Sequence, residues 1–183
     1  MDLLNTTVVD GHEAEICWSF YDRAFEPLRT RAAQRHALTR DEFDEQMIDG
    51  RVSKHVAYEN GIGSRPVGLA TLTNDLKAVP LIAPEYYEAR WPQFYAQQQI
   101  WYVGFLVVDP DFQGAGVLTP LIGSVCSSIA PGGGILAADI CEFNEEAVGL
   151  PETFARVLST FRQPETLRLD AQVFWAYEFA SSI

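Results

Sequence analysis

The sequence predicts one α/β (α+β) domain, residues 1–183, in which helices flank a mixed sheet. Three observations lead to this prediction. The chain has 183 residues, which is one ordinary domain with enough length to bury a substantial core. Its composition, 48% hydrophobic and 21% charged, is typical of globular proteins. Segments with helical periodicity also alternate along the chain with segments that have the pattern of strands.

Two helices are predicted near the N-terminus. From Glu15 onward, apolar side chains recur every four positions, which marks one face of a helix. These side chains are Ile16, Phe20, Ala24 and Leu28. Thr39 followed by Glu42 is a capping-box signature and predicts a second, short helix that continues to Ile48. Both helices precede every strand that the sequence predicts.

The middle of the chain is predicted to form three strands and an inserted helical segment. Residues 52–75, VSKHVAYENGIGSRPVGLATLTND, contain two β-rich segments joined by a Gly-rich turn, which indicates a hairpin. Residues 84–97, PEYYEARWPQFYAQ, are expected to form an inserted helical excursion that breaks at Pro92. Residues 99–110, QIWYVGFLVVDP, are typical of a buried apolar strand.

The rest of the chain is predicted to continue as helix, strand, helix and strand. After Gly116 comes a helix that ends at PGGG, with the face Leu118, Leu121, Ile122, Val125 and Ile129. Residues 135–143, ILAADICEF, predict a strand. Residues 150–161, LPETFARVLSTF, predict a helix whose inward side chains are Phe154, Val157, Leu158 and Phe161. In residues 167–179, LRLDAQVFWAYEF, apolar side chains alternate with period two, which predicts a final strand.

The net charge limits the partners of the protein. It is formally −12, from 13 basic and 25 acidic side chains. A surface of this kind repels nucleic-acid phosphates and anionic lipids, so the sequence predicts no nucleic acid and no membrane as partner. It favours a neutral or cationic small molecule, although acidity that serves only solubility explains the charge equally well.

Cysteine and histidine positions predict a cytoplasmic protein that holds no metal. The three cysteines, at positions 17, 126 and 141, are far apart and lack metal-ligand spacing, which favours reduced, buried thiols. The three histidines, at positions 12, 36 and 55, are scattered, and His55 in a predicted strand is expected to be structural. The N-terminus lacks the pattern of a secretory signal, and no apolar run reaches membrane-spanning length.

Residues 107–122, VVDPDFQGAGVLTPLI, run from the buried strand through a glycine-rich turn into a helix. Small residues allow backbone N–H groups to approach a ligand, and the helix N-terminus adds a partial positive charge, which together suit a phosphate or pyrophosphate. The turn lacks the Gly-Lys-Ser/Thr of a Walker loop and the spacing of a dinucleotide fingerprint. Glycine-rich turns often bind no ligand, so the turn alone does not decide the function.

A longer segment, FLVVDPDFQGAGVLTPLI, resembles the acyl-CoA-binding segment of the GNAT superfamily of N-acyltransferases. In that family a strand ending in Val-x-Pro-x-aromatic is followed by Arg/Gln-Gly-x-Gly-x-Gly/Ala and a helix. The matching residues are Val108, Pro110, Phe112, Gln113, Gly114 and Gly116. DICEFNEEA, residues 139–147, resembles the exit of the family's fifth strand, where an Asn (here Asn144) opens the next helix. The order of elements also matches, which implies a mostly antiparallel sheet that is splayed at its fourth strand.

The resemblance implies that acetyl-CoA is the co-substrate and that a small-molecule amine attacks its thioester directly in a ternary complex. The pantetheine arm would pair with the fourth strand, and N–H groups of the following loop would cradle the pyrophosphate. The residues that the resemblance assigns to CoA binding are Leu106, Val107, Val108, Gln113, Gly114, Ala115, Gly116, Val117, Leu118, Thr119 and Asn144.

Three features depart from the family pattern. The last loop position, usually Gly or Ala, is Leu118, whose side chain is expected to turn into the core. Gln113 replaces the commoner Arg, which leaves phosphate binding to N–H groups. The Tyr that often follows the Asn and protonates the departing thiolate is missing from NEEAVGLPETF, and Gly-Leu-Pro predicts that this helix is interrupted or starts late.

The catalytic base is not evident from the family pattern, because the fourth strand carries no carboxylate where family members often place a Glu. Glu142, at the exit of the fifth strand, is the first candidate. Tyr102 is the candidate acid for the thiolate, or a residue that orients a water. A solvated strand-end carboxylate and a core aromatic are the respective alternatives, and geometry decides between them.

Aromatic residues are concentrated in the insertion at residues 84–97. They suit a lid or wall for an apolar or cationic acceptor. Rings that pack the insertion against the sheet, or that form a homodimer contact, are equally good explanations. Because the strand carboxylate and the Tyr are both missing, a non-catalytic protein that binds acyl-CoA or a partner protein in a regulatory role is the alternative function.

Overall fold

A five-stranded mixed sheet organises the fold in this computed structural model, which describes residues 1–80, 82–129, 132–161 and 163–178. The strands lie side by side in chain order. They are β1 (Asp2–Thr6), β2 (Ser53–Tyr58), β3 (Pro66–Thr73), β4 (Ile100–Val108) and β5 (Ile135–Ala138). The first four pair antiparallel, and β5 is parallel to β4. The predicted mixed, mostly antiparallel sheet is therefore confirmed.

Helices connect and cover these strands. They are α1 (Gly11–Phe25), α2 (Leu28–Arg31), α3 (Arg40–Ile48), α4 (Pro84–Arg90), α5 (Pro92–Ala96), α6 (Leu118–Ile129) and α7 (Leu150–Leu158). Shorter turns are two 3₁₀ segments, Leu76–Ala78 and Pro110–Phe112, and one π-helical turn, Phe143–Ala147. The hairpin of β2 and β3 and the buried strand β4 lie where the sequence predicts them.

The sheet opens between β4 and β5. Parallel pairing begins at Ile100 with Ile135 and ends at Val103 with Ala138. Beyond Val103, β4 continues to Val108 and keeps its pairing with β3 on the inner side. Among the described residues, no strand pairs with the outer edge of residues 104–108. The splay predicted at the fourth strand is therefore present.

A β-bulge lies where the sheet opens. Leu72 pairs with Val103 and Ala70 pairs with Leu106, so Gly104 and Phe105 together face a single residue of β3, Thr71. The N–H of Phe105 donates to Thr71 Oγ1 at 3.1 Å. A Cβ at position 104 would lie 2.8 Å from the same oxygen, so this position requires glycine.

Helices α1 and α3 cover one face of the sheet and α6 covers the other. The α1 face buries one cluster of side chains: Cys17, Phe20, Tyr21, Phe43, Met47, Val56, Leu69, Phe105 and Val107. The α6 face buries another: Ala57, Ala70, Leu72, Val103, Val117, Leu121 and Val125. The predicted face of α6 is confirmed, whereas the buried stripe of α1 runs through Ala14, Cys17, Phe20 and Tyr21 and leaves Ile16 and Ala24 half-buried.

The capping box at the start of α3 is present as predicted. The N–H of Glu42 donates to Thr39 Oγ1 at 3.3 Å, and Glu42 Oε2 accepts from the N–H of Thr39 at 2.7 Å. These reciprocal bonds satisfy two backbone donors and fix the start of the helix. The helix ends at Ile48, as predicted, and the side chain of Ile48 is exposed.

The insertion at residues 84–97 forms two short helices with Trp91 between them, as the break at Pro92 predicts. Tyr87 is buried with its ring edge-on to Tyr102 of β4, at 6.4 Å between ring centroids. Trp91, Phe94 and Tyr95 are half-buried against the same cluster. Packing against the sheet therefore explains most of these rings.

Three predictions about strands need correction. The sequence does not predict β1, because its only apolar residues, Leu3 and Leu4, are adjacent and do not alternate. These residues form a strand because they pair with the free edge of β2. The strand expected at 135–143 ends at Ala138, since the residues beyond it leave the sheet. The strand expected at 167–179 is wrong over the described residues, because 163–178 contain neither helix nor strand; residue 179 lies outside them.

The C-terminal segment, residues 163–178, contacts the body of the protein over only part of its length. Tyr86 Oη donates to the carbonyl of Leu169 at 3.4 Å, and Leu169 packs against the cluster around Tyr87. Val173 and Trp175 are 68% and 78% exposed. Period-two alternation forms a strand only where another strand accepts its hydrogen bonds, and the described part of this segment has no such partner. The predicted inward position of Phe161 is also wrong, since it is 49% exposed.

Candidate active site

The glycine-rich loop between β4 and α6 exposes backbone donors beside the open edge of β4. Gly114 and Gly116 have φ of 80° and 79°, the left-handed region that glycine adopts without strain. A Cβ at either position would meet nothing within 4 Å, so the space around the loop is open. Over the described residues, the N–H groups of Gly114, Gly116 and Val117 donate to no protein acceptor.

The start of this loop is held by a buried carboxylate that the sequence did not single out. Asp109 is 1% exposed and accepts from Arg23 at 2.7 Å and from Arg65 at 2.8 Å. It also accepts from the N–H of Asp111 at 3.1 Å. Arg65 lies over the ring of Phe112 at 5.4 Å. Asp109 therefore ties α1 and the hairpin turn to the loop.

The side chains assigned to CoA binding differ in exposure. Gln113, Gly114, Ala115, Gly116 and Thr119 are exposed. Val107 and Val117 are buried, so only their main chains can meet a ligand, and Leu106 and Val108 are half-buried against the α6 face. Leu118 packs inward with Ile122, Cys126 and Val157, as expected of a side chain that leaves the ligand path free.

Asn144 lies within the π-helical turn Phe143–Ala147 and does not open a helix directly. Helix α7 starts at Leu150, after Gly149 in the left-handed conformation (φ 64°, ψ 41°). The prediction that this helix is interrupted or starts late is therefore confirmed. Glu142, the predicted base, is an exposed residue immediately before the π-helical turn, and its carboxylate forms no hydrogen bond within the described residues.

A second carboxylate lies nearer to the point where β4 and β5 separate. Asp139 directly follows the last residue of β5, and its Oδ1 accepts from Tyr102 Oη at 2.7 Å. Its Oδ2 lies 3.8 Å from Nδ1 of His36, which comes from the loop between α2 and α3. The side chain of Asp139 is 59% exposed, and that of His36 is 17% exposed. Sequence reasoning missed this pair because the loop and the strand end are distant along the chain.

Tyr102 is buried, and its hydroxyl is committed to Asp139. Burial, followed by the charge of Asp139, raises the pKa of Tyr102 well above its ordinary value. A hydroxyl that is harder to ionise is a weaker proton donor to a thiolate than an ordinary tyrosine. The geometry thus favours Tyr102 as a residue that orients Asp139.

The face of the sheet that α1 and α3 cover also carries a polar side chain over the β-bulge of β4. Gln46 of α3 places its Nε2 3.1 Å from the position that a Cβ of Gly104 would take, and its buried Oε1 has no hydrogen-bond partner in the part of the chain that the structure describes. His55 lies elsewhere: its Nδ1 is 2.8 Å from Ser124 Oγ of α6, and burial lowers its pKa to about 4. His55 is therefore structural, as predicted.

Comparison with solved structures finds this fold among acetyltransferases. An N-acetyltransferase from Staphylococcus aureus Mu50 has a TM-score of 0.54 at 20% identity, over 84% of this chain and 82% of that one. An aminoglycoside acetyltransferase, meta-AAC0020, from an uncultured soil metagenomic sample in complex with sisomicin has a TM-score of 0.52 at 12% identity, over 97% and 96%. AAC(6′)-Iy in complex with the bisubstrate analogue CoA-S-monomethyl-acetylneamine has a TM-score of 0.54 at 13% identity, over 97% and 99%. The chain therefore has the fold of the GNAT N-acetyltransferases.

No protein-family model and no curated protein sequence matches the chain. Within the described ranges, no helix combines the length and apolar character that crossing a bilayer requires.

Proposed function

We propose that this protein is an N-acyltransferase that transfers the acetyl group of acetyl-CoA to an amine of a small molecule. The observation that carries the proposal is the outer edge of residues 104–108, which pairs with no described strand and ends beside a loop whose N–H groups have no partner in the described residues. An extended ligand that ends in a pyrophosphate fits these two features, because it can pair with a strand edge and place its charge at the loop.

The backbone of β4 indicates how the thioester would be polarised. The N–H groups of Phe105 and Asp109 point inward, to Thr71 Oγ1 and to the carbonyl of Val67. Since N–H groups alternate along a strand, those of Leu106 and Val108 are directed to the outer edge. A thioester carbonyl beside one of them would have its developing negative charge stabilised in the transition state.

The electrostatics of the loop are consistent with an anionic ligand. Arg23 and Arg65 each pair with Asp109, and both also approach Asp111, at 3.2 and 3.7 Å. These cations offset the two carboxylates at the start of the loop, so their charge does not repel a pyrophosphate. Main-chain N–H groups of residues 113–119 then bind the pyrophosphate, and Asn144 is a further proposed contact.

The acceptor that we propose is a small neutral or cationic amine, and the reaction is direct attack in a ternary complex. The net charge of −12 supports this choice, as does the solved relative of the same fold that binds sisomicin. We place the activity in the cytoplasm, where the unpaired thiols Cys17, Cys126 and Cys141 would remain reduced. Release of CoA in the presence of amines distinguishes this enzyme from a non-catalytic acyl-CoA-binding protein.

Gly116→Val tests the proposed binding loop. The variant forces a β-branched residue into a left-handed conformation and fills space that is open in the protein, so acetyl-CoA binding should weaken tenfold or more, about 1.4 kcal/mol. Isothermal calorimetry measures the affinity. Gly63→Val is the matched control, because Gly63 also has a left-handed φ (87°) and a Cβ there meets no described atom within 4 Å. Equal affinities for acetyl-CoA in two folded variants would rule out the loop as the binding site.

A further inference from the structure

Asp139 lies at the place where an acceptor amine would meet the thioester of the proposed reaction. The last pair of the parallel ladder joins Val103 to Ala138, so Asp139 follows directly where β4 loses its outer partner at Gly104. The side chain of Tyr102, and therefore the contacting carboxylate, belongs to the face of the sheet that α1 and α3 cover. No other carboxylate accepts a hydrogen bond from a β4 side chain in the described residues.

Three titratable side chains, those of Tyr102, His36 and Tyr87, surround the carboxylate of Asp139. Tyr102 Oη holds Oδ1 at 2.7 Å, and His36 Nδ1 faces Oδ2 at 3.8 Å. The ring of Tyr87 of α4 lies edge-on to that of Tyr102, and burial, followed by the charge of Asp139, raises the pKa of Tyr87. Arg35, the neighbour of His36 in the sequence, pairs with Glu42 at 2.5 Å.

We propose, on the basis of the proposed function, that Asp139 binds the cationic ammonium group of the acceptor and that His36 removes its proton. The carboxylate stabilises the ammonium ion as it arrives, and its 59% exposure leaves room for that contact. Imidazole is the side chain best suited to proton transfer near neutral pH, and His36 reaches solvent through its exposed fraction. Tyr102 is a positioning residue that fixes the carboxylate.

The proposed steps balance in atoms and charge. His36 takes one proton from the ammonium ion, and the neutral amine then attacks the thioester carbonyl to form the C–N bond. The C–S bond breaks and CoA leaves as a thiolate. The second proton of the attacking nitrogen goes to that thiolate, directly or through water, and His36 releases the first proton to solvent. The products are the acetamide, CoA and one proton.

The assay is CoA release by the full chain with acetyl-CoA and four nucleophiles: sisomicin, spermidine, a short peptide with a free N-terminus, and hydroxylamine. The first three carry ammonium groups at neutral pH, whereas hydroxylamine is uncharged and needs no prior loss of a proton. Asp139→Asn and His36→Gln should each lower kcat/KM for the best cationic amine by about a hundredfold or more and affect hydroxylamine much less. The acidic limb of the pH–rate profile should flatten in His36→Gln.

Control variants separate this assignment from its alternatives. Tyr102→Phe should raise KM for the cationic amine about tenfold with little change in kcat. A general loss of packing would not change KM alone. Acetyl-CoA affinity should stay within twofold in all these variants. Glu146→Gln, which neutralises an exposed carboxylate of the nearby π-helical turn, should retain full activity and an unchanged pH profile.

Two results would overturn the inference in different ways. If Asp139→Asn and His36→Gln keep full activity, or if Glu142→Gln alone loses it and flattens the acidic limb, this assignment fails while the acetyltransferase function stands. If the wild-type chain binds acetyl-CoA but does not raise CoA release above the uncatalysed rate with any of the four nucleophiles, the proposed function and the assignment fail together.

Discussion

His55 is expected to make the folded protein less stable in acid. Its imidazole is fully buried, with Nδ1 at 2.8 Å from Ser124 Oγ, and Nε2 has no hydrogen-bond partner among the described residues. A protonated ring would carry a charge and a second N–H donor into this site, and no described residue offers that donor an acceptor. Burial accordingly lowers the pKa of His55 from 6.5 to about 4.

The direction of the pH effect follows from this lowered pKa. Above pH 6.5, His55 is neutral in both the folded and the unfolded chain and contributes nothing to pH dependence. Between pH 6.5 and 4, His55 is protonated in the unfolded chain but not in the folded chain, so the free energy of unfolding falls as the pH falls. A pKa difference of this size corresponds to a loss of about 3 kcal/mol at the lower end of the range.

Urea denaturation at constant ionic strength between pH 7.5 and 4.5 measures this loss. His55→Gln keeps a polar side chain that can reach Ser124 but cannot be protonated, so its stability should fall by roughly 2 kcal/mol less than that of the wild-type chain over this range. His12→Gln removes an exposed histidine and should leave the pH dependence of the wild-type chain unchanged. Parallel curves for wild type and His55→Gln would refute the reasoning, because the acid sensitivity would then come from other groups.

Two further predictions concern buried side chains. Asp109→Asn removes the charge that two half-exposed arginines share, so it should lower the free energy of unfolding by about 2–4 kcal/mol and weaken acetyl-CoA binding. An unchanged denaturation midpoint would show that the loop is held by other contacts. Tyr87→Ala should cost about 3 kcal/mol, whereas Trp175→Ser should change stability by less than about 0.5 kcal/mol, since Tyr87 is buried and Trp175 is 78% exposed. Thermal unfolding of the two variants side by side checks the contrast, and equal losses would contradict it.

Local signals in the sequence predicted the parts of the fold that depend on neighbours along the chain. The capping box at Thr39, the buried strand β4 and the glycine loop each follow from a few consecutive residues, and the structure has all three. The alternating pattern of residues 167–179 failed because strand formation requires a partner edge, which a local pattern does not report. β1 shows the converse, since its edge partner makes a strand of a segment without alternation.

The candidate site also has a part that the sequence predicts and a part that it does not. The loop with Gly114 and Gly116 could be identified from its spacing and its place before a helix. The cluster of His36, Tyr102 and Asp139 could not, because its members come from a helix–helix loop, a strand and a strand end that only the folded sheet brings together. Glu142, the candidate base at the exit of the predicted fifth strand, lies three residues after Asp139, the carboxylate that contacts Tyr102.

The anchoring of Asp109 determines how this loop can be transferred or changed. The residues that hold it, Arg23 and Arg65, lie 86 and 44 positions earlier in the chain. A chimaera that carries only the continuous segment from β4 to α6 into another protein would therefore lose both cations and bury an uncompensated carboxylate. The transferable unit is discontinuous and includes α1 and the turn of the hairpin. Substitutions at position 109 are accordingly expected to require matching changes at positions 23 and 65, which makes the three positions a single unit for protein engineering.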